Sequence, residues 1–169
     1  MIFNIKGHNS DLYNTLLLLS RNILFYKKMK LPDNFETRIY LMFLHFSIMM
    51  IVYKKKGKKF NQNSYDSLFH NIEGSLREMG FGDVSVNKKM KDFNKILYDI
   101  LLKIDKSDKK EFTINKKLIF KYFKELDKSN DTIYLVFVRY FKNFYSFCFE
   151  ISLENMIRKA VKFKNYGSS

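Results

Sequence analysis

Three histidines (His8, His45 and His70), one cysteine (Cys148) and 17 carboxylates are the side chains that could ligate a metal or carry a proton in this 169-residue chain. His70 and Glu73 stand three residues apart and could supply half of a metal site. A carboxylate-bridged centre in a helical bundle needs Glu-x-x-His from two helices with further glutamates, and the sequence holds no second copy. His45 lies in Leu41-Met42-Phe43-Leu44-His45-Phe46, where a core histidine with one ring nitrogen hydrogen-bonded is expected. Cys148 sits between Phe147 and Phe149, the setting of an inert buried thiol. One cysteine closes no disulfide and builds no thiolate cluster. The glycine patterns that cradle phosphates or expose a serine nucleophile (G-x-x-x-x-G-K-S/T, G-x-G-x-x-G and G-x-S-x-G) are absent. With no nucleophile–base–orienter set, the expectation is a protein that is not an enzyme, with no metal and no cofactor.

The chemistry that remains is charge. Lysine and arginine total 31 and the formal net charge is +14. Such a surface suits phosphate, anionic lipid or an acidic partner. Only five of the cations are arginine (Arg21, Arg38, Arg77, Arg139 and Arg158). Arginine is the preferred bidentate reader of phosphate and guanine, so DNA is not an expected partner. The favoured residues Lys, Asn, Ile, Phe and Tyr have A/T-rich codons, and genome composition is an equally open source of the excess. The densest run, Lys54-Lys55-Lys56-Gly57-Lys58-Lys59, is the candidate surface for an anionic membrane or polyanion.

A second cluster is defined by glycine. Leu76-Arg77-Glu78-Met79-Gly80-Phe81-Gly82-Asp83-Val84 holds two of the six glycines within three residues. Gly80 can take the left-handed conformation just past a helix, and Gly82 can permit a tight turn before the next. Arg77 and Glu78 occupy the preceding last turn, Asp83 or Ser85 can cap the following helix, and Lys88, Lys89 and Lys91 follow on its first turns. Arg77, Glu78, Gly80, Gly82, Asp83, Lys88, Lys89 and Lys91 are therefore the candidate partner-binding set.

The elements that position these residues are helical. A chain of this length with 46% apolar and 17% aromatic residues is expected to fold as a single domain, despite its charge. Asp11–Met29 reads as one or two helices capped by Ser10, with Leu12, Leu16, Leu19 and Ile23 inward. Pro32-Asp33-Asn34-Phe35-Glu36 is a start signal with Asp33 as cap. The helix it opens carries the most apolar run, Ile39–Tyr53, about 22 Å long against a hydrocarbon core of about 30 Å, and is expected to lie in the core. Ser64 opens a helix with Tyr65, Leu68, Phe69, Ile72, Leu76 and Met79 on one stripe, ended by Gly80. Ser85 opens the next, with Val86, Met90, Phe93, Leu97, Ile100, Leu101 and Ile104 inward and Lys88, Lys89, Lys91 and Lys95 outward.

Residues 106–111 are expected to be a mobile linker, and Leu118 to Leu126 mark another helix. Asp131 caps Thr132–Phe149, which is apolar nearly all round and therefore expected at the centre, although Ile133–Val138 would also suit a strand. Ser152 begins a last helix to about Phe163. Residues 1–8 and 165–169 should fray, leaving about 10–163 ordered. The fold class is all-α, a compact bundle of about seven helices.

Three stretches resemble a known family. Leu31-Pro32-Asp33, Arg38 and Leu44-His45 are similar to the V-P-D-T…G-R-F…L-H stretch of the ubiquinol–cytochrome c chaperone family, the assembly factors for cytochrome b of the respiratory cytochrome bc complex. Leu76-Arg77-Glu78-Met79-Gly80-x-Gly82-Asp83, then Val86 and Lys88-Lys89-Met90-Lys91, resemble its L-R-E-x-G-V-G-D…V-x-K-K-M-K signature, the most specific part. Tyr98 matches the tyrosine of a following F-Y-G-R. The chain departs from the pattern at Thr37, where the family has glycine, and at Asp99-Ile100, where it has Gly-Arg. The similarity extends from about Tyr13 to Tyr140.

The resemblance implies a non-catalytic chaperone that binds newly made cytochrome b, with a small partner subunit, a ribosome or an anionic membrane surface as further partners. It gives Pro32, Asp33, Arg38, His45 and Tyr98 structural parts. The short N-terminus resembles the bacterial form, expected in the cytoplasm or peripherally at the inner membrane. The client would meet an aromatic- or Met-rich face and apolar grooves between helices. A basic all-α module that binds RNA or an anionic membrane is the alternative.

Overall fold

Asn34 starts the helix around which the rest is built. Its side chain accepts a hydrogen bond from the Thr37 amide (2.9 Å), and α3 runs from Phe35 to Lys55. The computed structural model describes residues 11–104, 112–128 and 131–167. Around α3 stand α1 (Asp11–Ser20), α2 (Ile23–Lys27), α4 (Gln62–Glu78), α5 (Asp83–Lys103), α6 (Lys116–Tyr122), α7 (Lys124–Lys128), α8 (Asp131–Glu150) and α9 (Met156–Ala160). Two 3-10 segments, Leu153–Asn155 and Val161–Asn165, flank α9. Among the described residues there is no strand, and the all-α class holds.

Every residue from Leu41 to Met49 is buried, and α3 packs against α1, α5 and α8. This helix is long and apolar enough to cross a membrane by length and composition, with a mean hydropathy of 1.4 over its best window, of which 67% is buried inside the bundle. The central place expected for the last long helix belongs to α3 instead. Helix α8 buries one stripe (Tyr134, Phe137, Tyr140, Phe141, Phe144 and Cys148) and leaves Leu135 and Phe149 exposed. Its β-branched start, Ile133 to Val138, is helical. A lone strand would leave its backbone groups unpaired, whereas a helix satisfies them internally.

His45 fastens α3 to α8. Its Nδ1–H donates to the Leu41 carbonyl (2.6 Å), which leaves Nε2 to accept from the Tyr140 hydroxyl (2.7 Å). Both ring nitrogens are therefore bonded, one more than expected. The rings of Phe25, Phe141 and Phe144 enclose the pair. Burial pushes the His45 pKa down to about 3 and raises that of Tyr140, so both stay neutral.

Several starts and stops differ from expectation. Asp33 pairs with Arg38 rather than capping α3. Asn61 caps α4 three residues before Ser64, accepting from the amides of Asn63 and Ser64. Helix α5 begins at Asp83, two residues before Ser85. Within Asp11–Met29, expected as one or two helices, Asn22 accepts from Leu24 and opens the second, α2. Phe123 (φ −123°, ψ 71°) separates α6 from α7, and these two breaks raise the number of helical segments. The last stretch is a short α-helix between 3-10 turns rather than one helix from Ser152.

Fraying from residue 165 does not hold at Tyr166. Its ring stacks on Phe163 (4.6 Å between centroids) and its carbonyl accepts from Asn22 (2.9 Å). The expected Ser10 cap, the frayed 1–8, the 106–111 linker and the end of the tail at 168–169 lie outside the described residues.

Candidate partner-binding corner

Backbone bonds shape the α4–α5 corner, and an Arg77–Asp83 ion pair spans it. The Gly80 amide donates to the Arg77 carbonyl (2.9 Å) and the Phe81 amide to the Leu76 carbonyl (3.3 Å), the paired bonds of a Schellman stop. Gly80 has φ +94°, where a side chain is strained. Gly82 is different. Its φ of −77° is ordinary, and a Cβ built there meets nothing within 4 Å. The fold therefore does not require glycine at 82, contrary to the expected tight turn. No side chain caps α5, since Asp83 is already its first residue and reaches back to Arg77. Arg77 is held as well by Glu73 (3.6 Å).

This corner presents apolar groups to solvent. Met79 is 53%, Phe81 36% and Val84 84% exposed. Lys89 folds back over the Phe81 ring (4.9 Å), while Lys88 and Lys91 stay exposed beside it. Glu78, Gly80 and Gly82 are exposed too, so all eight residues of the candidate set lie on one turn and its flanking helix ends.

The family model described as Ubiquinol-cytochrome C chaperone matches residues 27–119, more than half of the chain. The chain belongs to the ubiquinol-cytochrome C chaperone family. Among the curated proteins and among the solved structures, none matches. Membership makes this protein a chaperone with a protein client. The matched span holds α3, α4, α5 and the corner between the last two. The resemblance seen in the sequence reached further, from Tyr13 to Tyr140.

Within this chaperone, the residues given structural parts divide. His45 is core, Pro32 and Arg38 are half-buried, and Asp33 is exposed but paired with Arg38. Tyr98 is 53% exposed on α5, with Tyr65 of α4 near its hydroxyl. Its neighbour Asp99, which replaces the family glycine, forms a junction that sequence reasoning missed. Asp99 accepts from Lys103 (2.5 Å), Lys121 (2.6 Å) and the Tyr122 hydroxyl, tying α5 to α6. Burial works against its charge, yet these donors hold the carboxyl well below the usual carboxylate range. The i, i+4 spacing of Asp99 and Lys103 was a visible signal, but the contribution of α6 was not.

The lysine loop of the chaperone also divides. Lys54, Lys58 and Lys59 are exposed. Lys56 instead donates to the Ile151 carbonyl (2.9 Å) just past α8 and lies over Phe149, and Lys55 lies over Tyr145 (5.1 Å). Helix α8 has no basic residue in its last turn, so Lys56 supplies that charge from a distant segment.

Of the expected aromatic- or Met-rich face, methionine supplies little: among the described residues Met79 is the only exposed methionine, the others filling the core or its edge, while Phe81, Tyr98 and Phe149 are exposed aromatics. Two of the clefts carry charged side chains at their walls. One of about 360 Å³ has Glu36, Tyr40, Lys89, Asp92, Lys95 and Ile96 among its walls, and a second of about 340 Å³ shares Glu36 and Tyr40 and adds Lys121 and Glu125. Among the described residues no group of three His, Cys, Asp or Glu could hold a metal ion; Glu73 is paired with Arg77 and His70 is exposed. Burial pushes the Cys148 thiol up to about 12, which suppresses the thiolate.

Proposed function

We propose that this chaperone holds newly made cytochrome b during biogenesis of the respiratory cytochrome bc complex, at the cytoplasmic face of the inner membrane. The observation that carries the reading is the corner itself. Three apolar side chains, Met79, Phe81 and Val84, stand exposed among Arg77, Lys88 and Lys91 on a turn whose shape is set by backbone bonds. An apolar cluster rimmed by cations suits an emerging membrane segment: the apolar tips cover hydrophobic surface and the cations meet acidic loops or lipid phosphate. The corner binds without rearranging, and its residues need make or break no bond.

The test is capture of unassembled cytochrome b on the tagged chain from cells that make the complex. Retention that weakens with salt yet persists through the apolar contacts, and that falls on Arg77→Ala with Lys88→Ala while the melting temperature stays unchanged, is the expected result. Cytochrome b absent from the wild-type capture would overturn the proposal. So would equal loss of client and of folding in the variant, because the corner would then serve structure alone. Retention of generic RNA that falls steeply with salt, in place of cytochrome b, would favour the nucleic-acid alternative.

A further inference from the structure

Helix α5 turns Val86, Phe93, Leu97 and Ile100 into the bundle, and among the described residues its opposite side is uncovered. On that side Val84, Lys88, Lys91, Lys95, Tyr98 and Leu102 follow one another at intervals of four and three. At about 100° per residue this keeps all six within an arc of about 80°, along about 27 Å of helix. Val84 is 84%, Tyr98 53% and Leu102 76% exposed, and the three lysines are exposed between them. The stripe is apolar at both ends and cationic in the middle.

Two of the three carboxylates of α5 are engaged elsewhere, Asp83 with Arg77 and Asp99 with Lys103, Lys121 and Tyr122. The third, Asp92, borders the stripe and lines one cleft together with Glu36 and Lys95, without forming an ion pair there among the described residues. Lys88, Lys91 and Lys95 make no ion pair among the described residues.

We propose that this face of α5 docks an acidic amphipathic helix of a partner protein, about five turns long. Carboxylates at the partner's centre meet Lys88, Lys91 and Lys95, and apolar residues at its two ends cover Val84 at one end and Tyr98 with Leu102 at the other. The pattern selects this occupant by charge and shape together. A nucleic-acid backbone offers the charge but nothing to cover Val84 and Leu102. A bilayer rewards apolar side chains gathered to insert together, whereas these lie at opposite ends of a hydrated lysine row. A helix laid along α5 satisfies both features at the same three-and-four spacing. The inference does not need the cytochrome b reading: the stripe shares Val84, Lys88 and Lys91 with the corner, but Lys95, Tyr98 and Leu102 lie outside it, and the peptide assay contains no cytochrome b.

The probe is a synthetic helical peptide of about 19 residues, with leucine at both ends and glutamate at the three central stripe positions. Its control carries lysine at those positions. Fluorescence anisotropy at low salt should show the full chain binding the glutamate peptide at least tenfold tighter than the control. Lys91→Glu with Lys95→Glu should reverse that preference, a gain that no unfolded variant could mimic. Leu102→Ser should weaken the glutamate peptide severalfold at unchanged melting temperature. Equal binding of both peptides, binding of neither, or a charge-reversed variant with unchanged preference would overturn the proposal. Sedimentation with equimolar phosphatidylglycerol and phosphatidylcholine vesicles that depends on Lys95 and Leu102, without peptide binding, would overturn it in favour of a membrane surface.

Discussion

Acidification from about pH 6.5 to about pH 4.5 isolates one buried group, His45, because ordinary carboxylates remain charged over most of that window. In the fold His45 is neutral, with a pKa of about 3, and fully buried between Leu41 and Tyr140. In the unfolded chain its pKa is about 6.5. Above that value both states hold the neutral ring and the group contributes no pH dependence. Below it the unfolded state takes up a proton that the native state refuses, so stability falls as pH falls. The slope climbs from about half to the full value of about 1.4 kcal/mol per pH unit, which integrates to about 2.3 kcal/mol across the window.

Urea unfolding followed by circular dichroism at a series of pH values measures this. His45→Gln removes the titration while keeping a donor and an acceptor. The wild type should lose about 2–3 kcal/mol more than this variant between the two pH values, whatever the variant's absolute stability. Parallel curves would refute the reasoning and mean that the ring meets water or a charge in the fold. Tyr140→Phe adds an independent check, since an orphaned Nε2 acceptor should cost about 1–3 kcal/mol at neutral pH.

The two corner glycines should behave differently in the same assay. Gly80→Ala places a Cβ at φ +94° and should cost about 1–2 kcal/mol, whereas Gly82→Ser, with open space and an ordinary φ, should stay within a few tenths of the wild type or exceed it by capping α5. Asp99→Asn should loosen α6 from α5 at a cost of about 1–3 kcal/mol, read by hydrogen exchange at Leu118 and Ile119. Its contribution in the wild type is present above the ordinary carboxylate pKa and disappears as pH falls below it, so the two proteins should converge in acid. Replacing Lys54, Lys58 and Lys59 together by glutamine should weaken sedimentation with anionic vesicles by about tenfold to a hundredfold, at about 1 kcal/mol per lysine, without lowering the melting temperature. Equal sedimentation with phosphatidylcholine alone would show that the loop is no anionic-lipid site. Lys56→Gln should instead act on stability, through Ile151.

The sequence by itself determined whatever depends on neighbours within a turn or two. The single apolar stripe of α4, the inward set of α5 and the left-handed stop at Gly80 follow from spacing and from one residue's freedom at positive φ. The family motif was legible for the same reason, being largely one contiguous stretch around that stop. Tertiary structure alone decided the rest. Asn34 and Asn61 won the caps from Asp33 and Ser64 because a cap depends on where the preceding chain enters. Helix α3 rather than α8 took the centre because burial on every side needs three neighbours, and composition counts apolar residues without saying which elements will surround them. His45 with Tyr140 and Lys56 with Ile151 join positions 95 apart, and Asp99 waits for Lys121 and Tyr122 from another helix. No periodicity encodes such pairs, since packing sets the distance between two helices and a hydrogen bond exists only once that distance is met.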